Sequence, residues 1–127
     1  MTTSGTAERQ RVIRAFVRGD GSWRDLEPLG IRVTFSDDGC EVEGHAPITA
    51  PTIGDIARGL LSLVRGPKSE LQQWAAVLLA GSSFIDLSQL ERQPQWDLLL
   101  SALWDASAGD PVPEQAIWVA ETLANAA

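Results

Sequence analysis

Apolar and polar residues repeat along this chain with two periods, and the change of period divides it. Near the N-terminus the apolar residues come in pairs four apart, Val12–Ile13 and Phe16–Val17, set among Arg9, Arg11, Arg14 and Arg18. That interval predicts a helix over 7–18, with Glu8 well placed in its first turn. Gly19-Asp20-Gly21 ends it, and Ser22 to Pro28 reads as a connector. The period then falls to two, with Ile31, Val33 and Phe35 alternating with Arg32 and Thr34. Such alternation predicts a half-buried strand with Val33 and Phe35 facing the core. Asp38-Gly39 signals a hairpin turn. The return strand is expected from Cys40 to about His45, Val42 inward, with Arg32 near Glu43 or His45. A lone hairpin is marginal, so it must lie on helices.

Pro47 to Pro51 forms a stiff link, and helical spacing resumes beyond it. Thr52 with Asp55 makes a capping box. Ile53, Ile56, Ala57, Leu60, Leu61 and Val64 then define one apolar face, ended by Gly66-Pro67. Gly54 and Gly59 fall on or near the polar side of this helix, where each costs up to ~1 kcal/mol relative to alanine. The greasiest stretch follows. Ser69 with Gln72 predicts a helix start, and Leu71, Trp74, Ala75 and Leu78 recur at helical spacing, widened by Val77 and Leu79. Gly81 is expected to stop it in the left-handed region. A short turn is expected from Asp86 to before Pro94. Trp96, Leu99, Leu100, Leu103 and Ser107 then line a second helix, packed antiparallel to the first. Trp74, Trp96 and Leu100 are expected at the centre of the core. The last helix starts near Pro113 and reaches about Ala124, with Ala116, Val119, Ala120 and Leu123 inward.

These elements predict an α+β fold: mostly helical, with one β-hairpin (about 31–45) packed on four to six helices. At 127 residues one domain is expected, comprising an N-terminal helix and hairpin (7–46) and a helical part (52–124). The longest apolar run, from Trp74 to Gly81, is far below the ~20 residues of a membrane span. The N-terminus lacks the pattern of a secretion signal. One cysteine makes no internal disulfide, so a cytoplasmic setting is expected.

Charge sharpens the picture. The net charge is −7. Residues 1–36 hold six arginines against four acids, whereas 37–127 hold four bases against thirteen acids. Within 69–127, Arg92 is the one base against eight acids. Such a surface repels phosphate backbones and favours a basic partner, so no nucleic-acid role is expected.

Reactive chemistry is sparse. One histidine and one cysteine fall short of a zinc site, and no glycine-rich phosphate loop occurs, so neither metal nor cofactor is expected. Cys40 and His45, five apart on one strand, would point to opposite faces, which argues against a catalytic pair. Asp97 and Asp105, with Ser101 between, lie about 12 Å apart along one helix. That is wider than the ~5–9.5 Å of paired glycosidase carboxylates. They read as an acidic stripe. On the last helix Trp118 falls opposite the apolar stripe, beside Glu114, Glu121 and Thr122. An aromatic residue among acids on a solvent face suits an interface anchor.

The expected function is therefore a non-catalytic protein-binding module, with Trp118, Glu114, Glu121, Asp97 and Asp105 at the partner surface. Small size, acidity and absent chemistry suit an immunity or inhibitor protein that binds a basic toxin, a nuclease being the favoured kind. Nine arginines to one lysine suit a high-GC bacterial source. The alternatives are a small-ligand sensor with a pocket near Trp23, framed by the hairpin and the 52–65 helix, an adaptor domain, or a hydrolase using His45.

Overall fold

The computed structural model describes residues 2–44 and 48–126, with side chains described for 7–44 and 48–125. The described chain forms six α-helices, one 3-10 helix and one antiparallel hairpin, an α+β fold. Helix α1 spans Thr2–Val17, followed by the 3-10 helix Trp23–Leu29 and strands β1 (Arg32–Ser36) and β2 (Gly39–Glu43). The remaining helices are α2 (Ile53–Leu63), α3 (Lys68–Ala80), α4 (Ser88–Glu91), α5 (Gln95–Ala108) and α6 (Glu114–Ala126).

Helix α1 begins earlier than 7, because Thr2 to Thr6 carry no apolar residue whose spacing could reveal it. The presumed connector is also helical. The Ser22 side chain accepts from the Arg24 N–H, and Asp25 accepts from the Ser22 N–H, so a capping box starts a 3-10 turn that buries Leu26. In the hairpin, Arg32 pairs with Glu43, Val33 with Val42 and Phe35 with Cys40, across a two-residue Asp37–Asp38 loop. His45, expected at the strand end, lies outside the described residues, as do Ala46 and Pro47. The inward face is only partly covered. Val33 is half-buried, and Phe35 keeps 37% exposure with its ring edge-on to Trp23, 5.2 Å between centroids. The sheet stays two-stranded, with one isolated bridge between Thr49 and Ile85 among the described residues.

Thr52 and Asp55 form the expected capping box. Ser69 does not cap α3. Pro67, held extended, occupies that position, the helix starts at Lys68, and the Gln72 amide donates instead to the Ser107 carbonyl at 2.9 Å. Gly81 ends α3 at φ −86°, outside the left-handed region, with the Phe84 ring against its α-carbon. Asp86 accepts from the Ser88 N–H and hydroxyl, which starts α4. Those two bonds hold the Asp86 carboxyl below its ordinary range. The preference for the charged form is present above the ordinary carboxylate pKa and is lost as pH falls through the folded-state value.

Helices α3 and α5 touch, but the most extensive helix contacts are those of α6 with α2 and with α5. Ala116, Ala120 and Ala124, one turn apart, are buried on α6 and let its axis approach closely. Trp74 and Trp96 are buried as expected. Leu100, Leu61 and Val64 are only half-buried, and Leu79 is exposed at 47%. The apolar arc on α3 is thus wider than the surface its neighbours cover.

Gly59 has a different place from the one its helical position suggests. It is buried, not on a polar face, and so is Gly54. A Cβ on Gly59 would collide with the Val17 carbonyl oxygen and come within 2.5 Å of Trp74 Cζ2. Gly19, at φ +77°, closes α1 against the same point, where its own Cβ would meet the Gly59 oxygen at 2.9 Å. The Trp74 indole N–H donates to the Phe16 carbonyl at 2.9 Å. Helices α1, α2 and α3 therefore meet where only glycine leaves room.

Gly59→Ala should destabilise the protein by about 2–3 kcal/mol in urea unfolding, because overpacking outweighs the ~1 kcal/mol helix gain. Gly66→Ala, whose Cβ would meet only ordinary contact, should stay within about 0.5 kcal/mol of the parent. Trp74→Ala should lose about 3–5 kcal/mol.

Candidate acidic aromatic surface on the last two long helices

Helices α5 and α6 are joined by the five residues 109–113 and pack on each other as a helical hairpin. Helix α5 points Trp96, Leu99, Ala102, Leu103 and Ala106 into the core. Spacing of 3.6 residues then sends Asp97, Leu98, Ser101, Trp104 and Asp105 outward, and all five are exposed. Helix α6 buries Ala116, Ala120, Leu123 and Ala124, which leaves Glu114, Trp118, Glu121 and Thr122 outside. The Thr122 hydroxyl donates back to the Trp118 carbonyl at 2.9 Å and points no donor at a ligand.

Each expected surface residue is thus exposed. Glu114, Trp118 and Glu121 share one face of α6, and Asp97 and Asp105 share one face of α5 with Trp104. The two faces sit on neighbouring helices. From Gln95 to Ala126 there are five acids and no base. None of the four carboxylates Asp97, Asp105, Glu114 and Glu121 has a basic partner within 4.0 Å among the described residues.

Trp104 is the residue that sequence reading missed. At 75% exposure it is the most exposed large apolar side chain described, ahead of Trp118 at 65%. Its signal was present. At 100° per residue it falls about 140° from the middle of the α5 apolar stripe. Its apolar character and its place in the leucine-rich stretch masked that offset. Leu98, on the same outer face, is also exposed at 55%.

The other candidate chemistry does not assemble. Burial, and then the neighbouring Glu41 charge, push the Cys40 thiol up, which disfavours a thiolate nucleophile. The proposed base His45 lies outside the described residues. Ser82 and Ser83 lie in the turn that follows α3, where no nucleophile-elbow geometry occurs. Among the described residues no three His, Cys, Asp or Glu side chains converge as metal ligands. No helix described is long and apolar enough to cross a membrane.

Trp23, the expected place of a pocket, is held by contacts from three elements. The hairpin's main helix contact is α3, through β2. The Trp23 indole N–H donates to Gln73 Oε1 at 2.9 Å, Phe35 covers its edge, and the Arg24 guanidinium lies 4.7 Å from its ring centroid. Arg24 in turn reaches Glu70 at 3.6 Å. These contacts dock the 3-10 helix on α3.

Comparison with protein-family models, curated proteins and solved structures yielded no match, so function is argued from the chain's own residues.

Cys40 should alkylate several-fold more slowly with iodoacetamide at pH 8 in the folded protein than in urea, followed by mass spectrometry. A folded-state rate equal to or above the unfolded one would mark an activated thiol and contradict the geometry.

Proposed function

We propose that this protein is a non-catalytic protein-binding module that engages a basic protein through the outer faces of α5 and α6. The observation that carries this reading is the pair of solvent-exposed tryptophans, Trp104 and Trp118, on two adjacent helices that hold acids and no base. An exposed tryptophan contributes little to folding. When covered by a partner it can bury roughly 150–250 Å² and act as an anchor. The unpaired carboxylates around it would steer an approaching cation-rich surface and repel acidic competitors. A standard interface takes about 800 Å² from each partner, and the protein exposes 7550 Å² in all. Two helix faces are enough to supply such a patch.

In its most concrete form the protein is a bacterial inhibitor of the immunity type, acting in the cytoplasm on a basic toxin. A nuclease suits best, because an enzyme that grips phosphate presents a cationic cleft. An acidic helical surface would occupy that cleft as a substrate mimic. Acid count and exposure support this form.

The test is a pulldown from the native host followed by binding kinetics on the captured partner. Rising salt should slow association strongly and change dissociation little. Trp118→Ala should speed dissociation and weaken binding by about 2 kcal/mol or more, and Trp104→Ala should act in the same direction. Reversal of Glu114 and Glu121 to lysine should slow association while the melting temperature holds. If every one of these variants binds as the parent does, the α5–α6 surface is not the interface.

A further inference from the structure

We propose that the cleft at the α1–α2 crossing, between Arg18 and Arg58, binds the phosphate group of a small phosphorylated ligand. This site is separate from the acidic face and does not depend on its function.

The crossing itself creates the site. Gly19 and Gly59 touch, and each is preceded by an arginine, so the close approach of two backbones places Arg18 and Arg58 on one cleft. That cleft measures about 380 Å³ and is lined by Arg18, Asp20, Arg58, Leu61 and Ser62. Arg18 is held but not saturated. Its buried Nε has no hydrogen-bond acceptor, and the nearest carboxylate, Asp55 Oδ1, stands 3.9 Å away. Asp55 thus holds Arg18 only through a long ion pair from Oδ1, while its other oxygen accepts from the Thr52 N–H at 3.1 Å. The remainder of the Arg18 side chain is about a third exposed. Arg58 is exposed and has no carboxylate within 4.0 Å among the described residues. The Ser62 hydroxyl, on the turn after Arg58, makes no hydrogen bond among them either.

Asp20 lines the cleft and pairs with neither arginine within 4.0 Å, and Asp55 meets Arg18 alone, at 3.9 Å, so Arg58 has no counter-charge among the described residues. A phosphate can accept from both guanidinium groups, whose fork matches its oxygens. Phosphate therefore fits better than a monocarboxylate. Leu61 offers an apolar wall to whatever the phosphate is attached to. The cleft brings two arginines together on a chain of net charge −7. That suits a small ligand carrying one phosphate, since a polymer of phosphates would meet repulsion beyond the cleft.

The experiment is a ¹H–¹⁵N NMR titration of the full chain with inorganic phosphate at pH 7.5, with ionic strength held constant by chloride. Saturable shifts are expected at the Gly19 and Gly59 amides and at the Arg18 Nε–H. Arg58→Gln should weaken the apparent Kd by about tenfold or more, as loss of a charge-assisted contact does. Arg58→Lys, which keeps the charge and loses the fork, should weaken it less. Arg92→Gln, a charge change in the turn after α4, should leave it unaltered. The parent-like spectrum of each variant establishes that it is folded. Shifts that rise linearly without saturation, equal shifts with acetate, or equal weakening by Arg58→Gln and Arg92→Gln would each overturn the proposal.

Discussion

The structure depends on one hydrogen bond and the gap that admits it. The Trp74 indole lies against the bare α-carbon of Gly59 and donates to the Phe16 carbonyl. That carbonyl belongs to the last turn of α1, where backbone acceptors lack helical partners. The Gly19 N–H reaches the same oxygen at 3.1 Å. A buried indole donor without an acceptor carries a penalty of about 1–3 kcal/mol, as does an abandoned buried carbonyl. The contact therefore satisfies the indole donor, on an oxygen that also accepts from the Gly19 N–H. It also sets the heights at which α1, α2 and α3 cross. From that junction α3 receives the 3-10 helix through Gln73 and the hairpin through β2. Helix α2 offers its opposite side to α6.

Much of this was legible in the sequence, for reasons that also mark where reading stops. The hairpin, the Thr52 capping box and the burial of Trp74 and Trp96 follow from periods of two and 3.6, which are local. Gly59 was misplaced because a helical wheel ranks residues by hydropathy, and glycine has almost none to rank. Its role depends on a backbone and a ring from two other helices. Ser22 was passed over because a 3-10 turn has no apolar period, although its capping partner Asp25 stands at the right spacing. Ser69 lost its capping role to Pro67, which takes the extended cap geometry two residues earlier. Leu79 and Leu100 show the limit of apolar periodicity. It predicts which way a side chain points but not whether a neighbour is there to cover it. On the candidate surface, Trp118 was found because it interrupts acids, and Trp104 was lost among leucines.

The molecule keeps its holding interactions and its free surfaces apart. Apolar contacts and the Trp74 bond occupy the interior, while charge is sorted on the outside. Arg18 and Arg58 meet where α1 crosses α2, and acids without a basic partner among the described residues occupy α5 and α6. Under the proposed function, opposite signs at separate places would let the protein present one face to a basic partner without neutralising it with its own cations. The same separation makes substitutions on the outer faces informative, since they alter recognition without entering the core.

The most direct test of this division is hydrogen exchange at the five tryptophan indole N–H groups, followed by NMR. Trp74 should exchange slowest, through global unfolding alone, because its donor is buried and bonded. Trp104 and Trp118 should exchange at the rate of a free indole. Exchange of Trp74 as fast as Trp118 would contradict the junction on which the fold is argued to rest. Protection of Trp104 and Trp118 in the isolated protein would remove the exposed anchors.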